Sequence, residues 1–242
     1  MKGLILTAGI GSRLNDLTLD KPKTLLELNG VTILKRTLKS LSDIGVKDVI
    51  ILLGYESDLV KKTIESYTDL DLSITYVINH DFRTTNNIYS VYLASDLLIN
   101  EDFILLNGDV IFETNILEKL RDDPYDLILS VDTQKDLGDE EMKIKVNQEG
   151  KIMDISKELG HNDSHGEYIG ILKVQSSFSK QFFDSITEVI NKDGKNVYYE
   201  SALKNLIDKS VPIWVSDIKS DKWFEIDTVD DYTNAQSLFK SP

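Results

Sequence analysis

Near the start of the chain, small and basic residues occur together in a pattern suited to binding an anion. Gly9 and Gly11 follow a short apolar run, and glycines let backbone N–H groups approach an anion closely because they have no Cβ. Ser12 adds a hydroxyl donor, and Arg13 adds a planar, forked cation that matches phosphate oxygens. Lys23 supplies a second cation a short distance along the chain. These residue types and their spacing predict a phosphate site.

Two familiar glycine-rich loops do not account for this stretch. The dinucleotide fingerprint G-x-G-x-x-G would place a third glycine where the chain has Leu14, and a P-loop would close with Gly-Lys-Ser or Gly-Lys-Thr. Neither pattern is present in the sequence. A nicotinamide-dependent dehydrogenase is therefore a poor interpretation of the loop.

Two aspartates stand where a metal bound to phosphates would need them. Asp109 follows a predicted buried strand at residues 103–106, and ligands bind at the carboxyl ends of strands in open α/β sheets. Asp227 precedes a predicted helix near the C-terminus. Mg²⁺ prefers oxygen ligands and commonly uses one or two protein carboxylates, so two aspartates would suffice. The structural alternative for each is a helix N-cap or a turn residue.

The elements that would position these residues alternate between strands and helices. Apolar runs predict strands at residues 4–6, 48–53, 72–78, 103–106 and 127–131, with helices at 32–43, 59–67 and from about 87. Beyond them we expect a hairpin at 143–146 and 151–155, strands at 167–174 and 211–215, and helices at 178–191, 199–208 and 229–239. This order predicts a Rossmann-like, doubly wound α/β fold whose mixed sheet is mostly parallel, with an acceptor-binding β insertion.

The chain shows no break in its composition that would divide it. It contains no internal repeat, no low-complexity run and no linker rich in Pro, Gly or Ser. We therefore expect a single domain over residues 1–242, with a nucleotide-binding half at 1–132 and an acceptor-binding half at 133–242.

Composition excludes several classes of partner. The formal net charge of −14 at pH 7 argues against nucleic acid or an anionic membrane, since both need a basic surface. No apolar run approaches the ~18 residues of a membrane span, and the apolar start is too short for a signal peptide. The chain has no cysteine, which excludes disulfides and thiolate metal sites and fits a cytoplasmic location.

The N-terminal stretch also resembles the signature of a known family. The matching residues are Thr7, Ala8, Gly9, Gly11, Arg13 and Leu14, followed by Pro22, Lys23, Leu25 and Leu26. They are similar to the pattern (A/T)AG-x-G-x-R-L followed by P-K-x-L-L of the nucleotidyltransferases that make nucleotide-activated sugars and alcohols. The resemblance implies that Asp109 and Asp227 hold Mg²⁺. It also implies that Lys23 stabilises the transition state and that Arg13 contacts the departing phosphates.

Later segments narrow the resemblance to one branch of the family. The segment Asn86–Ser90 and the later WFEIDTVDDY look like the branch that activates phosphocholine or aminoethylphosphonate. This likeness implies that the nucleotide is CTP. Its pyrimidine would be held by the backbone around Ala8 and by residues near Asn79 and Asn86.

The acceptor implied by this branch is a small phosphorylated or phosphonate compound with a cationic head, phosphocholine being the leading example. Tyr199 and Trp223 are the predicted aromatic contacts, because the faces of aromatic rings attract ammonium groups. Glu200 and Glu225 are the predicted acidic contacts that would balance the positive charge. The structural alternative for the aromatic residues is an ordinary place in the core.

We therefore expect a Mg²⁺-dependent cytidylyltransferase that joins CTP to such an acceptor and releases pyrophosphate. The alternative within the class is a sugar-1-phosphate nucleotidyltransferase, which would use hydroxyl-binding residues in place of an aromatic and acidic pocket. From another class, a non-catalytic nucleotide-binding regulatory module is the alternative. The presence together of the two cations and two aspartates argues against that module.

Overall fold

The structure is a computed structural model that describes residues 1–239, apart from the side chains of Ser12, Asn15 and Asp16. The strands are β1 (Lys2–Leu6), β2 (Glu27–Leu28), β3 (Val31–Thr32), β4 (Asp48–Leu53), β5 (Ser73–Ile78), β6 (Phe103–Asn107), β7 (Val110–Phe112), β8 (Leu127–Asp132), β9 (Lys143–Val146), β10 (Ile152–Ser156), β11 (Gly166–Val174), β12 (Trp214–Asp217) and β13 (Trp223–Glu225). The α-helices are α1 (Ile33–Asp43), α2 (Ser57–Glu65), α3 (Asn87–Leu93), α4 (Ser95–Leu98), α5 (Asn115–Asp122), α6 (Ser176–Asp193), α7 (Glu200–Asp208) and α8 (Val229–Leu238). Short 3₁₀ helices lie at Ser12–Thr18, Lys23–Leu25 and His161–Asp163.

A large mixed sheet forms the centre of the molecule. Its main path runs β10-β9-β11-β6-β1-β4-β5, and β8 joins β11 to β12. The strands β6, β1, β4 and β5 are parallel, so their carboxyl ends meet at one edge. In the second half, β11 runs antiparallel to β6, β8 and β9. The predicted α/β class with a mixed, mostly parallel central sheet is confirmed.

The core lies on both faces of this sheet because successive strand residues point to opposite sides. Leu4 packs on the face covered by α3, α6 and α7, in a cluster that includes Phe182. Its neighbour Ile5 packs on the other face with residues of α1, α2 and α5, such as Leu38. The central strands are therefore buried on both sides, as their continuous apolar runs predict.

Several short elements were not predicted, among them β2, β3, β7, α5 and β13. The strands β7 and β13 have three residues each and pair with one another, with Trp223 opposite Phe112. Such a pair depends on contacts between distant segments, so neither strand has a strong local pattern. The strand expected at residues 211–215 begins instead at Trp214, because the N–H of Val211 bonds to Leu206 and closes α7.

Within residues 1–239, none of the helices combines the length and the apolar content needed to cross a bilayer.

Two glycines near the carboxyl ends of β1 and β6 differ in what a methyl group would meet. A Cβ on Gly108 would lie 2.1 Å from the carbonyl oxygen of Leu6, whereas a Cβ on Gly9 would meet nothing within 4 Å. We expect Gly108→Ala to lower the melting temperature by about 3–10 °C, given the usual cost of overpacking a protein of this size. Gly9→Ala should leave it within about 1 °C of the unsubstituted protein. Thermal unfolding followed by circular dichroism would compare them, and equal melting temperatures would contradict the prediction.

Candidate active site

A cavity of about 910 Å³ opens at the carboxyl edge of the parallel strands. The predicted site residues that line it are Ala8, Gly9, Gly11, Arg13, Lys23, Asn79, Asn86, Asp109, Glu200, Trp223, Glu225 and Asp227. Ser12 is also a predicted site residue, but its side chain lies outside the described part of the structure. The fold therefore brings together, in one cavity, residues that are more than 200 positions apart in the chain.

The glycine loop and the lysine segment pack closely against each other. Gly11 has a φ of +70°, a left-handed conformation that favours glycine, and a Cβ there would lie 3.1 Å from the Cβ of Lys23. Buried leucines next to the two cations hold the segments in place: Leu14 follows Arg13, and Leu26 lies just beyond Lys23. Both leucines belong to a small apolar cluster that also contains Ile226 and Ala235 from the C-terminal part of the chain.

Pairing between β7 and β13 brings the two predicted metal-binding aspartates together. Asp109 lies in the turn between β6 and β7, and its carbonyl accepts a hydrogen bond from the N–H of Ile226 at 3.0 Å. Asp227 follows directly, ahead of α8. The N-cap of α8 is Thr228, which forms a capping box with Asp231. Neither aspartate is therefore the N-cap of a helix. The carboxylate of Asp227 instead contacts Arg13 and Lys23 in the cavity.

Lys23 connects the two aspartates. Its Nζ lies 2.9 Å from Asp109 Oδ2 and 2.6 Å from Asp227 Oδ1, while an Arg13 Nη lies 2.8 Å from the second oxygen of Asp227. Burial alone would lower the pKa of Lys23, but the two carboxylates outweigh it and the pKa is raised. Lys23 therefore remains an ammonium ion at neutral pH.

A third carboxylate, Glu225, joins the two aspartates. One oxygen from each of Asp109, Glu225 and Asp227 lies within 4.8 Å of the other two. Burial, with the charges of both aspartates added, raises the pKa of Glu225 to about 8. Asp109 Oδ1 is buried and accepts no hydrogen bond from the described part of the chain. An all-oxygen donor set with one free, buried acceptor fits a hard divalent cation.

The two asparagines predicted near the pyrimidine are held by the protein itself. Asn79 is buried and donates from its side-chain amide to Thr85 at 2.9 Å and Ser90 at 3.0 Å. Its side-chain oxygen accepts from the N–H of Asp81. Asn86 caps α3 through its side-chain oxygen, which accepts a hydrogen bond from the N–H of Asn87. Both residues therefore order the loop before α3 as well as lining the cavity.

At the other end of the cavity, the two neighbouring tyrosines of the predicted acceptor segment have different environments. Tyr199 is fully buried and its hydroxyl lies 2.7 Å from that of Tyr168, so it stands behind the cavity wall and does not line it. Tyr198 lines the cavity and is 49% exposed. Trp223 also lines it, with its indole N–H donating to Asp132 at 2.7 Å.

Glu200, at the start of α7, faces the cavity from a buried position. Burial raises the pKa of its carboxyl group to about 7. Several other charged residues in this part of the cavity were not predicted as site residues: Asp132, Lys135, Glu140, Glu141, Lys157 and Glu167. Among them, Glu167 is 3% exposed. Its position at the start of the apolar run of β11 is a sequence signal that could have indicated it.

Comparison with known proteins identifies the family. The family model described as nucleotidyl transferase matches residues 2–136, just over half of the chain. The chain belongs to the nucleotidyl transferase family and is an enzyme of that type. The family expected from the N-terminal motif is thereby confirmed.

Individual relatives are similar over most of the chain. It is 26% identical to the CTP:phosphoglutamine cytidylyltransferase of Campylobacter jejuni, over 96% of this chain and 97% of that one. It is 28% identical to the CMP-5'-(3-aminopropyl)phosphonate synthase of Streptomyces rubellomurinus, over all of this chain but 39% of that protein's length. The solved CTP:phosphocholine cytidylyltransferase of Streptococcus pneumoniae, 24% identical, superposes with a TM-score of 0.80 over 99% of both chains, a likeness that concerns the fold. The predicted similarity to cytidylyltransferases is confirmed by these relatives.

Proposed function

We propose that the protein transfers CMP from CTP to a small phosphorylated or phosphonate acceptor and releases pyrophosphate. The observation that carries this proposal is the cluster of Lys23, Arg13, Asp109 and Asp227 beside the glycine loop. The two cations and two carboxylates contact one another in this structure. When the substrate enters, the cations can bind the triphosphate and the carboxylates can bind its metal ion. CTP is the proposed nucleotide because similar proteins, such as the CTP:phosphoglutamine cytidylyltransferase, use it.

The reaction is a displacement at the α-phosphorus of CTP. An oxygen of the acceptor's phosphate or phosphonate attacks this phosphorus, and the bond to the bridging oxygen of the β-phosphate breaks. Pyrophosphate leaves with the electron pair of that bond. We assign Lys23 to the charge that builds on the phosphorus and Arg13 to the departing β- and γ-phosphates.

The carboxylates would hold Mg²⁺, which supplies neutralisation of phosphate charge when bound. Asp109 and Asp227 are the proposed ligands, and the buried free oxygen of Asp109 supports the assignment. Glu225, predicted as an acceptor contact, lies close enough to both aspartates to be a third carboxylate of the same centre.

The two parts of the chain divide substrate binding in this proposal. The backbone of Ala8, Gly9 and Gly11 would hold the nucleotide, with the Ser12 hydroxyl as a further donor and the loop of Asn79 and Asn86 near the base. Glu200 and Trp223 would contact the acceptor, and Tyr199 would support them from behind the wall. A division into nucleotide and acceptor halves at residue 132, and a cytoplasmic location, stay predictions.

Pyrophosphate release in the presence of Mg²⁺ tests the proposal. CTP, UTP, ATP and GTP would be crossed with phosphorylated amines, an aminoalkylphosphonate, a phosphorylated amino acid and sugar 1-phosphates. We expect release with CTP and an ammonium-bearing acceptor, and none when EDTA removes the metal. Release only with UTP and a sugar 1-phosphate would overturn the proposed nucleotide and acceptor but keep nucleotidyl transfer.

A further inference from the structure

We propose that the acceptor's head group is an ammonium that still carries at least one N–H, which it donates to Glu200, and that a quaternary ammonium is discriminated against. This inference rests on the proposed function and names the acceptor class more closely. Three independent features of the acceptor end of the cavity support it.

The first feature is an acceptor atom that has no donor. Glu200 is 8% exposed and lines the cavity, and its Oε2 is buried without a hydrogen-bond partner in the described part of the chain. A buried carboxylate oxygen that lacks a donor is unfavourable, and a ligand N–H would relieve it. A trimethylammonium group has no N–H to donate, whereas primary, secondary and tertiary ammonium groups do.

The second feature concerns the aromatic rings. A quaternary ammonium is typically bound against the faces of aromatic side chains. Lys135 Nζ already stands 5.1 Å from the centroid of the Trp223 ring, and Lys157 Nζ stands 6.0 Å from that of Tyr198. Tyr199 is buried behind the wall. The Trp223 and Tyr198 rings therefore already have an ammonium group of the protein near them, which favours a carboxylate as the group that recognises the substrate's cation.

The third feature is the distribution of charge. Lys135 is paired with Glu167 at 2.7 Å and with Glu141 at 3.5 Å, and Lys157 is paired with Glu140 at 3.3 Å. Both lysines are thus already paired with other glutamates. Within the described residues, Glu200 has no lysine or arginine nitrogen within 4.0 Å. Asp132 also has no such nitrogen nearby, but both of its oxygens accept hydrogen bonds from the protein. Glu200 therefore offers a cation on the substrate an oxygen that has neither an ion pair nor a hydrogen bond with the described residues.

A series of acceptors that differ only in methylation tests the inference. Phosphoethanolamine and its N-methyl, N,N-dimethyl and N,N,N-trimethyl derivatives would be compared with CTP and Mg²⁺, the last derivative being phosphocholine. We expect kcat/KM to change by less than about tenfold across the first three and to fall by about 10- to 100-fold at the last methyl, when the final N–H is lost. Equal or better use of phosphocholine than of the dimethyl compound would overturn the inference.

Two matched variants separate a hydrogen bond from general charge. Glu200→Leu removes both acceptor oxygens of the side chain, and it should raise the KM for phosphoethanolamine at least about tenfold. The KM for CTP should stay within about twofold, which also reports that the nucleotide site is folded. The difference in kcat/KM between the dimethyl and trimethyl compounds should shrink to less than about threefold. Glu140→Leu removes a cavity carboxylate whose side chain is 86% exposed, and should leave the discrimination intact. Equal effects of the two variants would contradict a specific contact with Glu200.

The outcomes distinguish this inference from the proposed function. Should UTP replace CTP while the step at the last methyl persists, the proposed nucleotide is wrong and the head-group inference stands. Use of CTP with sugar 1-phosphates alone would refute the inference while cytidylyl transfer stands. If no pair turns over, calorimetric titration of the four amines decides, and phosphocholine binding as tightly as the dimethyl compound would refute it.

Discussion

Lys23→Met should lower kcat by about 10²- to 10³-fold, the usual loss when one preorganised donor to the transition state is removed. Lys23 is placed for this role by two contacts, at 2.9 Å to Asp109 and 2.6 Å to Asp227, and its side chain is 14% exposed. The electrostatic attraction between such a buried cation and the charged transition state becomes stronger when water is excluded from the site. Steady-state pyrophosphate release at saturating CTP and acceptor would measure kcat directly.

The chain offers a matched control two residues away. Lys21 is exposed and lies outside the cavity lining, on the other side of Pro22. Lys21→Met removes the same charge from the same segment and should change kcat less than about threefold, a bound set by the small worth of exposed charges. Equal losses in the two variants would mean that net charge of the segment, not the position of Lys23, supports turnover.

Lys23 also makes a prediction about metal binding that does not depend on turnover. In the absence of nucleotide its ammonium group occupies one oxygen of each aspartate, so it competes with a divalent cation for them. Without Lys23, the negative charges of Asp109 and Asp227 lie close together with no ammonium group between them. When CTP is absent, Lys23→Met should therefore bind Mn²⁺ at least about tenfold more tightly than the unsubstituted protein. Electron paramagnetic resonance of free Mn²⁺ would measure both affinities. Identical affinities would contradict the competition.

The sequence was sufficient to predict those residues of the candidate site that lie close together in the chain. The glycine loop, Arg13 and Lys23 lie within one short segment, and their spacing reflects a single strand-to-loop transition. Asp109 could be predicted because it closely follows a continuous apolar run, which forms the buried strand β6. The positions of these residues are set by the local backbone, so they can be predicted from the order and spacing of residue types.

The parts that were missed depend on distant contacts. Which of two adjacent tyrosines faces the cavity is decided by where α7 begins, and Tyr199 is placed in the core by its hydroxyl contact with Tyr168. Lys135 and Lys157 come from segments beside β9 and β10, and their position follows from how that hairpin packs on β11. Glu225 joined the aspartates through the pairing of β13 with β7. No local pattern reports such pairings.

Asp109→Asn and Asp227→Asn should each lower kcat/KM by about 10²-fold or more, because an amide oxygen carries no charge to hold a divalent cation or to orient Lys23. The two variants should differ in their contacts. Asp227 is paired with both Lys23 and Arg13, so its loss frees two cations, whereas Asp109 loses one partner and the ligand atom that is free and buried.

Metal titration separates a role as a ligand from a role in ion pairing. If the aspartates bind the metal, the Mg²⁺ concentration for half-maximal activity should rise at least about tenfold in each variant, consistent with the loss of a ligand or its supporting contacts. Asp230→Asn, on an exposed first-turn position of α8, is the matched control and should leave the titration unchanged. An unaltered titration in either aspartate variant, with activity still reduced, would assign that residue to positioning Lys23 instead. The distinction matters because the two roles place the metal differently: ligation by both aspartates ties the metal to the β7–β13 pair, so the late segment of the chain, and not the glycine loop alone, would determine where the triphosphate reacts.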